Sequence, residues 1–183
     1  MPSLRCTRKL LKAIGRTPLP AREEATPTLL GDWYANLLRI RRGQALLFTN
    51  EATRYSFAVL GVRKAMLTDI AQVFRAQLTL NLVHEDVPPY VMERLDAESR
   101  QMGVAATASR SVLGSMNDLA YVLERYVCDA GGAAACDVRV LNAQLNRTPQ
   151  KPLGWKFAIE ALQERLLGAF AVPGPQPHRV FLN

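Results

Sequence analysis

The chain has 183 residues, 49% of them hydrophobic and 21% charged, with a formal net charge of +7; this is the make-up of one globular domain with a sizeable core, and it excludes a disordered or fibrous chain. Its three cysteines, Cys6, Cys128 and Cys136, are odd in number and unpaired in spacing, which speaks against a disulfide framework and for reduced thiols in the cytoplasm. No run of 18 uncharged apolar residues occurs, since even Trp155 to Val172 carries Lys156, Glu160, Glu164 and Arg165, so neither a membrane-spanning helix nor a membrane partner is expected.

The positive charge is concentrated at the start. Residues 1–22 hold Arg5, Arg8, Lys9, Lys12, Arg16 and Arg22 and no acid, whereas the rest of the chain has 17 basic against 16 acidic residues. Leu4 to Thr7 reads as a strand, and Thr7 can cap a short helix over Arg8 to Ile14 that Gly15 closes. Organelle transit peptides share this Arg-rich, acid-free, amphipathic make-up; a folded and retained segment is the expectation adopted. Residues 16–31 read as a loop, broken by Pro18, Pro20 and Pro27 around Glu23-Glu24.

The clearest β region follows. Trp33 to Ile40, Gln44 to Thr49 and Arg54 to Leu60 are three short apolar runs, separated by Arg41-Arg42-Gly43 and Asn50-Glu51-Ala52-Thr53. Both separators are short enough for hairpin turns, so the spacing predicts an antiparallel meander. In its first strand Trp33, Ala35, Leu37 and Arg39 share one face, and Tyr34, Asn36, Leu38 and Ile40 the other. An asparagine on such a side more often ties down a loop than binds a ligand. From Val62 to Leu82 the period becomes helical, with Met66, Ile70, Val73, Phe74 and Leu78 on one face. Pro88-Pro89 opens a weaker helix through Tyr90, Leu95 and Met102. This piece is acidic and complements the basic start, within the chain or in a second copy as a homo-oligomer.

Val104 to Ala108 can form a further strand. Met116, Leu119, Ala120, Leu123, Tyr126 and Val127 then recur at helical spacing and predict a central helix over 111–127. Ser111 or Ser115 is its expected cap, with Asp118 in the first turn. Asp129 to Ala135 is a Gly/Ala linker; Val138, Leu141 and Leu145 make a short helix ended by Thr148-Pro149 and Pro152. A last helix, Trp155 to Ala169, is expected to bury Trp155, Ile159, Leu162 and Leu166. Residues 173–183, with three prolines, read as a flexible tail. That leaves 1–172 as a single α+β domain: a small antiparallel meander, extended by residues 4–7 and 104–108, covered by four or five helices.

Arg110 to Asp118 (RSVLGSMND), with Leu141-Asn142 and Leu145-Asn146-Arg147-Thr148-Pro149, resembles a bacterial family of small proteins of unknown function. The resemblance takes in Arg5 to Leu11, Gly31 to Leu38 and Leu47 to Asn50, and covers residues 4 to 150. It implies a compact α+β domain and carries no activity over to any residue. Where the family pattern has a Lys-Thr pair before the Arg-Ser motif, this chain has Thr107-Ala108-Ser109, so an anion site there would lack that lysine.

Chemistry-bearing motifs are scarce. The two histidines, His84 and His178, are far from any cysteine, too few for a Cys/His metal centre, and neither metal nor cofactor is expected. There is no G-x-S-x-G elbow, and Gly114-Ser115 lacks the spacing and lysine of a P-loop. Cys6, between Arg5 and Arg8, reads as a small buried strand residue rather than an activated thiol. Enzyme chemistry has no positive support.

Two readings remain. The preferred one is a non-catalytic binding module whose basic segment (Arg5, Arg8, Lys9, Lys12) and hairpin (Arg39, Arg41, Arg42) contact nucleic acid or an acidic protein. The alternative is a small-molecule site, for binding or catalysis, at the start of the 111–127 helix. There Arg110, Ser111, Ser115 and Asn117 would hold a phosphate or carboxylate, with Asn36, Asn50, Asn146 and Arg147 as neighbours.

Overall fold

The structure, a computed structural model, describes residues 2–19, 28–100 and 102–170. The part of the expected loop at 20–27, with Arg22 and Glu23-Glu24, and the expected tail with His178 lie outside the described residues.

Strands β2 (Trp33–Ile40), β3 (Gly43–Asn50) and β4 (Ser56–Leu60) form the expected antiparallel meander, in unbroken register from Trp33 opposite Asn50 to Ile40 opposite Gly43. Strands β1 (Ser3–Cys6) and β5 (Gly103–Ala106) extend it, both in parallel, giving the order β4-β3-β2-β1-β5. The sheet is therefore mixed. Parallel neighbours are joined by long crossovers, so no local turn signal announces them. Arg5 knits this half together: its Nε donates to Asp32 Oδ2 at 2.7 Å and its Nη1 to the Ala106 carbonyl at 3.2 Å, while Asp32 Oδ1 accepts the Ser3 N–H at 2.8 Å.

Alternation along the strands gives the sheet two apolar faces, and both are covered. Over the first lie α1 (Arg8–Ile14), α3 (Ile70–His84), α4 (Pro89–Ser99) and α7 (Ala158–Phe170). Trp33, Phe48, Phe57 and Phe74 meet there with ring centroids 5.1–5.9 Å apart, within the range of favourable aromatic pairing. Over the second lie α5 (Arg110–Asp129) and α6 (Val138–Asn146), packed on Tyr34, Ile40, Ala45, Leu47 and Ala58.

The expected details of α1 are present: the Thr7 side chain accepts the Leu10 N–H, and Gly15 closes the helix at φ 63°. Three expectations need correction. The helix read from Val62 to Leu82 divides into α2 (Lys64–Thr68) and α3, because the Asp69 carboxylate accepts the Gln72 N–H and starts a new helix. The cap of α5 is Ser109, which accepts the Val112 N–H at 3.3 Å, so Ser111 and Ser115 are helical and Asp118 lies beyond the first turn. Trp155 is not buried in the last helix. It precedes α7, follows Gly154 as a second left-handed residue (φ 66° and 69°) and is 67% exposed; the double left-handed step takes its indole off the apolar stripe of Ile159, Leu162 and Leu166.

β4 is an edge strand, and its outward backbone groups at Ser56 and Ala58 are met by side chains. Asn146 accepts the Ser56 N–H at 2.7 Å and donates to the Ser56 carbonyl at 2.7 Å. One turn earlier, Asn142 accepts the Ala58 N–H at 2.8 Å and reaches the Ala58 carbonyl at 3.4 Å. Asn142 also donates to Asn81 Oδ1 at 2.9 Å, which joins α3 to the arrangement. All three asparagines are buried. Asn146→Ala is expected to destabilise the fold by about 2–6 kcal/mol, from two buried backbone groups losing partners at about 1–3 kcal/mol each. Urea unfolding checks it against Gln144→Ala on the exposed side of α6, which should be close to neutral.

Candidate functional site

β1, β2, β4 and β5 all run in one direction, so the sheet has a hairpin end, at Arg41-Arg42, and a turn end, at Asn50 to Tyr55. α5 crosses the second face between them. It starts at the turn end, where Tyr34 Oη accepts the Ser109 N–H at 2.9 Å, and reaches the hairpin end, where Val127 shares a hollow with Ile40 to Gly43.

Asn50 organises the turn end. Its side-chain oxygen accepts the N–H groups of Ala52 and Thr53 and the Thr53 hydroxyl, and its amide donates to the carbonyls of Leu30 and Asp32. The turn ends on Arg54, a left-handed residue (φ 58°) that is 8% exposed. Arg54 Nη2 donates to Ser111 Oγ at 3.1 Å, while its Nε and Nη1 have no partner. Burial holds this guanidinium below its usual value, and the nearby Glu51 carboxylate opposes that shift. Tyr34 Oη donates to Glu51 Oε1 at 3.3 Å, and burial pushes its phenol up.

Beside this start, α5 and the turn after α6 enclose a groove of about 400 Å³, with Ser111, Gly114, Ser115 and Asp118 on the helix side and Lys151 and Trp155 opposite. That size is within the range of small-molecule sites. Ser115 is 3% exposed and its hydroxyl has no partner. Sequence reasoning pointed to this helix and missed Arg54, Lys151 and Trp155. Nothing in the sequence separates a buried turn arginine from an exposed one.

The other candidates are dispersed. Arg110 and Asn117 are exposed on α5. Asn36 accepts the Thr7 hydroxyl at 3.0 Å at the junction of β1 and α1. Asn50 and Asn146 spend their amides on the turn and the β4 edge, and Arg147 forms a two-pronged ion pair with Glu85 at 2.8 and 3.1 Å, whose hydrogen bonding raises the guanidinium's pKa. Arg5 is held by Asp32. By contrast Arg8, Lys9, Lys12, Arg39, Arg41 and Arg42 are all exposed. The start of α2 adds Arg63 and Lys64, also exposed; it follows β4 at the hairpin end, a neighbourhood that no sequence spacing reveals.

Among the described residues no group of three His, Cys, Asp or Glu is placed to hold a metal ion, and no helix is long and apolar enough to cross a membrane. Cys6 is fully buried and its thiol is pushed up to about 12 by burial, with Arg16 pulling weakly the other way, so it is not an activated nucleophile.

A mixed sheet covered on both faces, with a groove beside the start of its central helix, defines a single compact α+β domain. The chain belongs to the family described as a domain of unknown function (DUF6933), which matches residues 3–161, from β1 into α7. No curated protein and no solved structure matches it.

The buried thiol sets an alkaline limit. An unfolded chain releases the Cys6 proton near pH 8.5 while the folded one keeps it to about 12. Stability therefore falls as pH rises through that window, by about 1.4 kcal/mol per unit from this group. Tyr55, also fully buried and raised by burial, acts in the same sense at higher pH. Denaturation midpoints at pH 8, 9 and 10 should decline in the native protein and decline less in Cys6→Ala.

Proposed function

We propose that this protein is a binding module whose hairpin end contacts the phosphate backbone of nucleic acid. One observation carries the reading: the β2–β3 hairpin, the start of α2, and α1, which lies against α2, present Arg8, Lys9, Lys12, Arg39, Arg41, Arg42, Arg63 and Lys64 toward one end of the sheet, all exposed. Among the described residues none of these eight is in an ion pair. Unpaired surface cations release counterions when they meet phosphates, which makes such binding steeply dependent on salt. Both sheet faces are covered, so stacking of bases on strand aromatics is not available. The expected contacts are to the backbone and largely independent of sequence.

Fluorescence anisotropy with short single- and double-stranded DNA and RNA tests this. Micromolar binding is expected at about 50 mM salt, weakening about a hundredfold by about 200 mM if four phosphates are engaged. The triple variant Arg39→Ser, Arg41→Ser, Arg42→Ser should bind more weakly and with a shallower salt dependence, its thermal midpoint unchanged. Absence of binding at low salt overturns the reading and leaves an acidic protein surface as the partner to test.

A further inference from the structure

We propose that the groove between α5 and the turn after α6 binds a nucleoside monophosphate, at the opposite end of the sheet from the basic rim. Four observations on its walls converge.

The first is Ser115. Its hydroxyl is buried and has no partner, although a buried polar group is ordinarily satisfied. The residue lines the groove, and a change of its χ1 rotamer would turn the hydroxyl, shielded from solvent as it stands, toward an acceptor placed there. The second is Ser111, one helical turn earlier on the same face. A guanidinium can only donate, so the bond from Arg54 Nη2 must use the serine oxygen as acceptor. That leaves the Ser111 hydrogen free to donate, on an oxygen polarised by a cation. Two hydroxyl donors in the first two turns of a helix, near its positive end, suit a phosphate, and Lys151 faces them across the groove.

The third observation is Gly114. A glycine inside a helix is destabilising by about 0.5–1 kcal/mol relative to alanine, which is normally offset by close packing. Here an added Cβ would meet nothing within 4 Å. No neighbour in the fold requires the missing side chain; what its absence leaves open is the groove, on whose helix wall it sits. The fourth is Trp155, an indole 67% exposed on the far wall, held out by a left-handed backbone that costs a non-glycine residue about 1–2 kcal/mol. A flat, exposed aromatic face is a stacking platform for a nucleobase. Asp118, on the helix side, is an acceptor suited to sugar hydroxyls. Anion donors, a hydroxyl acceptor and a stacking face in one groove match phosphate, ribose and base.

Calorimetry with AMP, GMP, CMP and UMP, with inorganic phosphate and adenosine as separate arms, decides the matter. At least one monophosphate should bind with a dissociation constant below about 1 mM, and phosphate and adenosine alone should each be at least about tenfold weaker. Trp155→Ala should weaken binding at least about tenfold. Gly114→Ala, which has room in the helix, should hold or raise the thermal midpoint and yet lower affinity, and Gly114→Leu should abolish it; if the leucine variant does not fold, the alanine variant carries the result. The hairpin triple variant should bind the monophosphate like the native protein, so the two sites fail or stand separately. Heat from none of the four nucleotides, or affinity indifferent to both Trp155→Ala and Gly114→Ala, overturns the proposal.

Discussion

The outer edge of β4 is the constraint on which the rest of the molecule depends. An edge strand must find partners for every second N–H and carbonyl, and here the partners are two asparagine side chains, Asn142 and Asn146. The match works because four residues of helix advance about 6.0 Å and two residues of strand about 6.6 Å. One asparagine per turn thus keeps step with every second strand residue for a short distance. Because each amide both donates and accepts, the pair fixes the direction and height of α6 against the sheet. Wherever α6 stops, the turn of Thr148 to Trp155 begins, so the far wall of the groove is positioned by hydrogen bonds made on the other side of the helix.

Electrostatically the sheet is polar from end to end. The hairpin end carries the exposed cations of the β2–β3 turn and the start of α2, with those of α1 beside it where that helix meets α2. The turn end has a buried cation, Arg54, tied to the start of α5 and accompanied by Glu51 and Tyr34. α5 bridges the two with its positive end toward Ser109 and its negative end toward Arg41 and Arg42, where its last residues share a hollow with the hairpin. Its dipole therefore favours anions at the turn end and tempers cation repulsion at the hairpin. An open basic rim and a groove, surfaces of unlike shape, follow from one helix laid across one sheet.

What could be read from the sequence is what is local. Thr7 and Gly15 bracket α1 because caps act within one turn, and the meander follows from alternation and two short turns. The stripe of Met116, Leu119, Leu123 and Val127 is buried as its period indicates. The misses are non-local or conformational. The parallel pairing of β1 and β5 depends on residues about a hundred positions apart. Ser109, Ser111 and Ser115 are equally good caps by composition, and only the path of the chain past Tyr34 selects the first. Trp155 obeys the helical period of α7 but is removed from it by two left-handed residues. Asn50 and Asn146, expected as neighbours of an anion site, instead serve a turn and a strand edge, partners that only the folded chain brings to them.

The closed margin of β4 has a further meaning for assembly. An open strand edge is the usual template for adding a strand, whether from a peptide, a second copy or a growing aggregate. Here the backbone positions that would be copied are occupied by amide side chains, and on the opposite margin the Leu19 N–H already donates to Val104. Strand addition at β4 would first have to displace α6 and leave three buried asparagines without partners. Fibril-like growth of the sheet at β4 is thereby opposed by the same two amides that finish it.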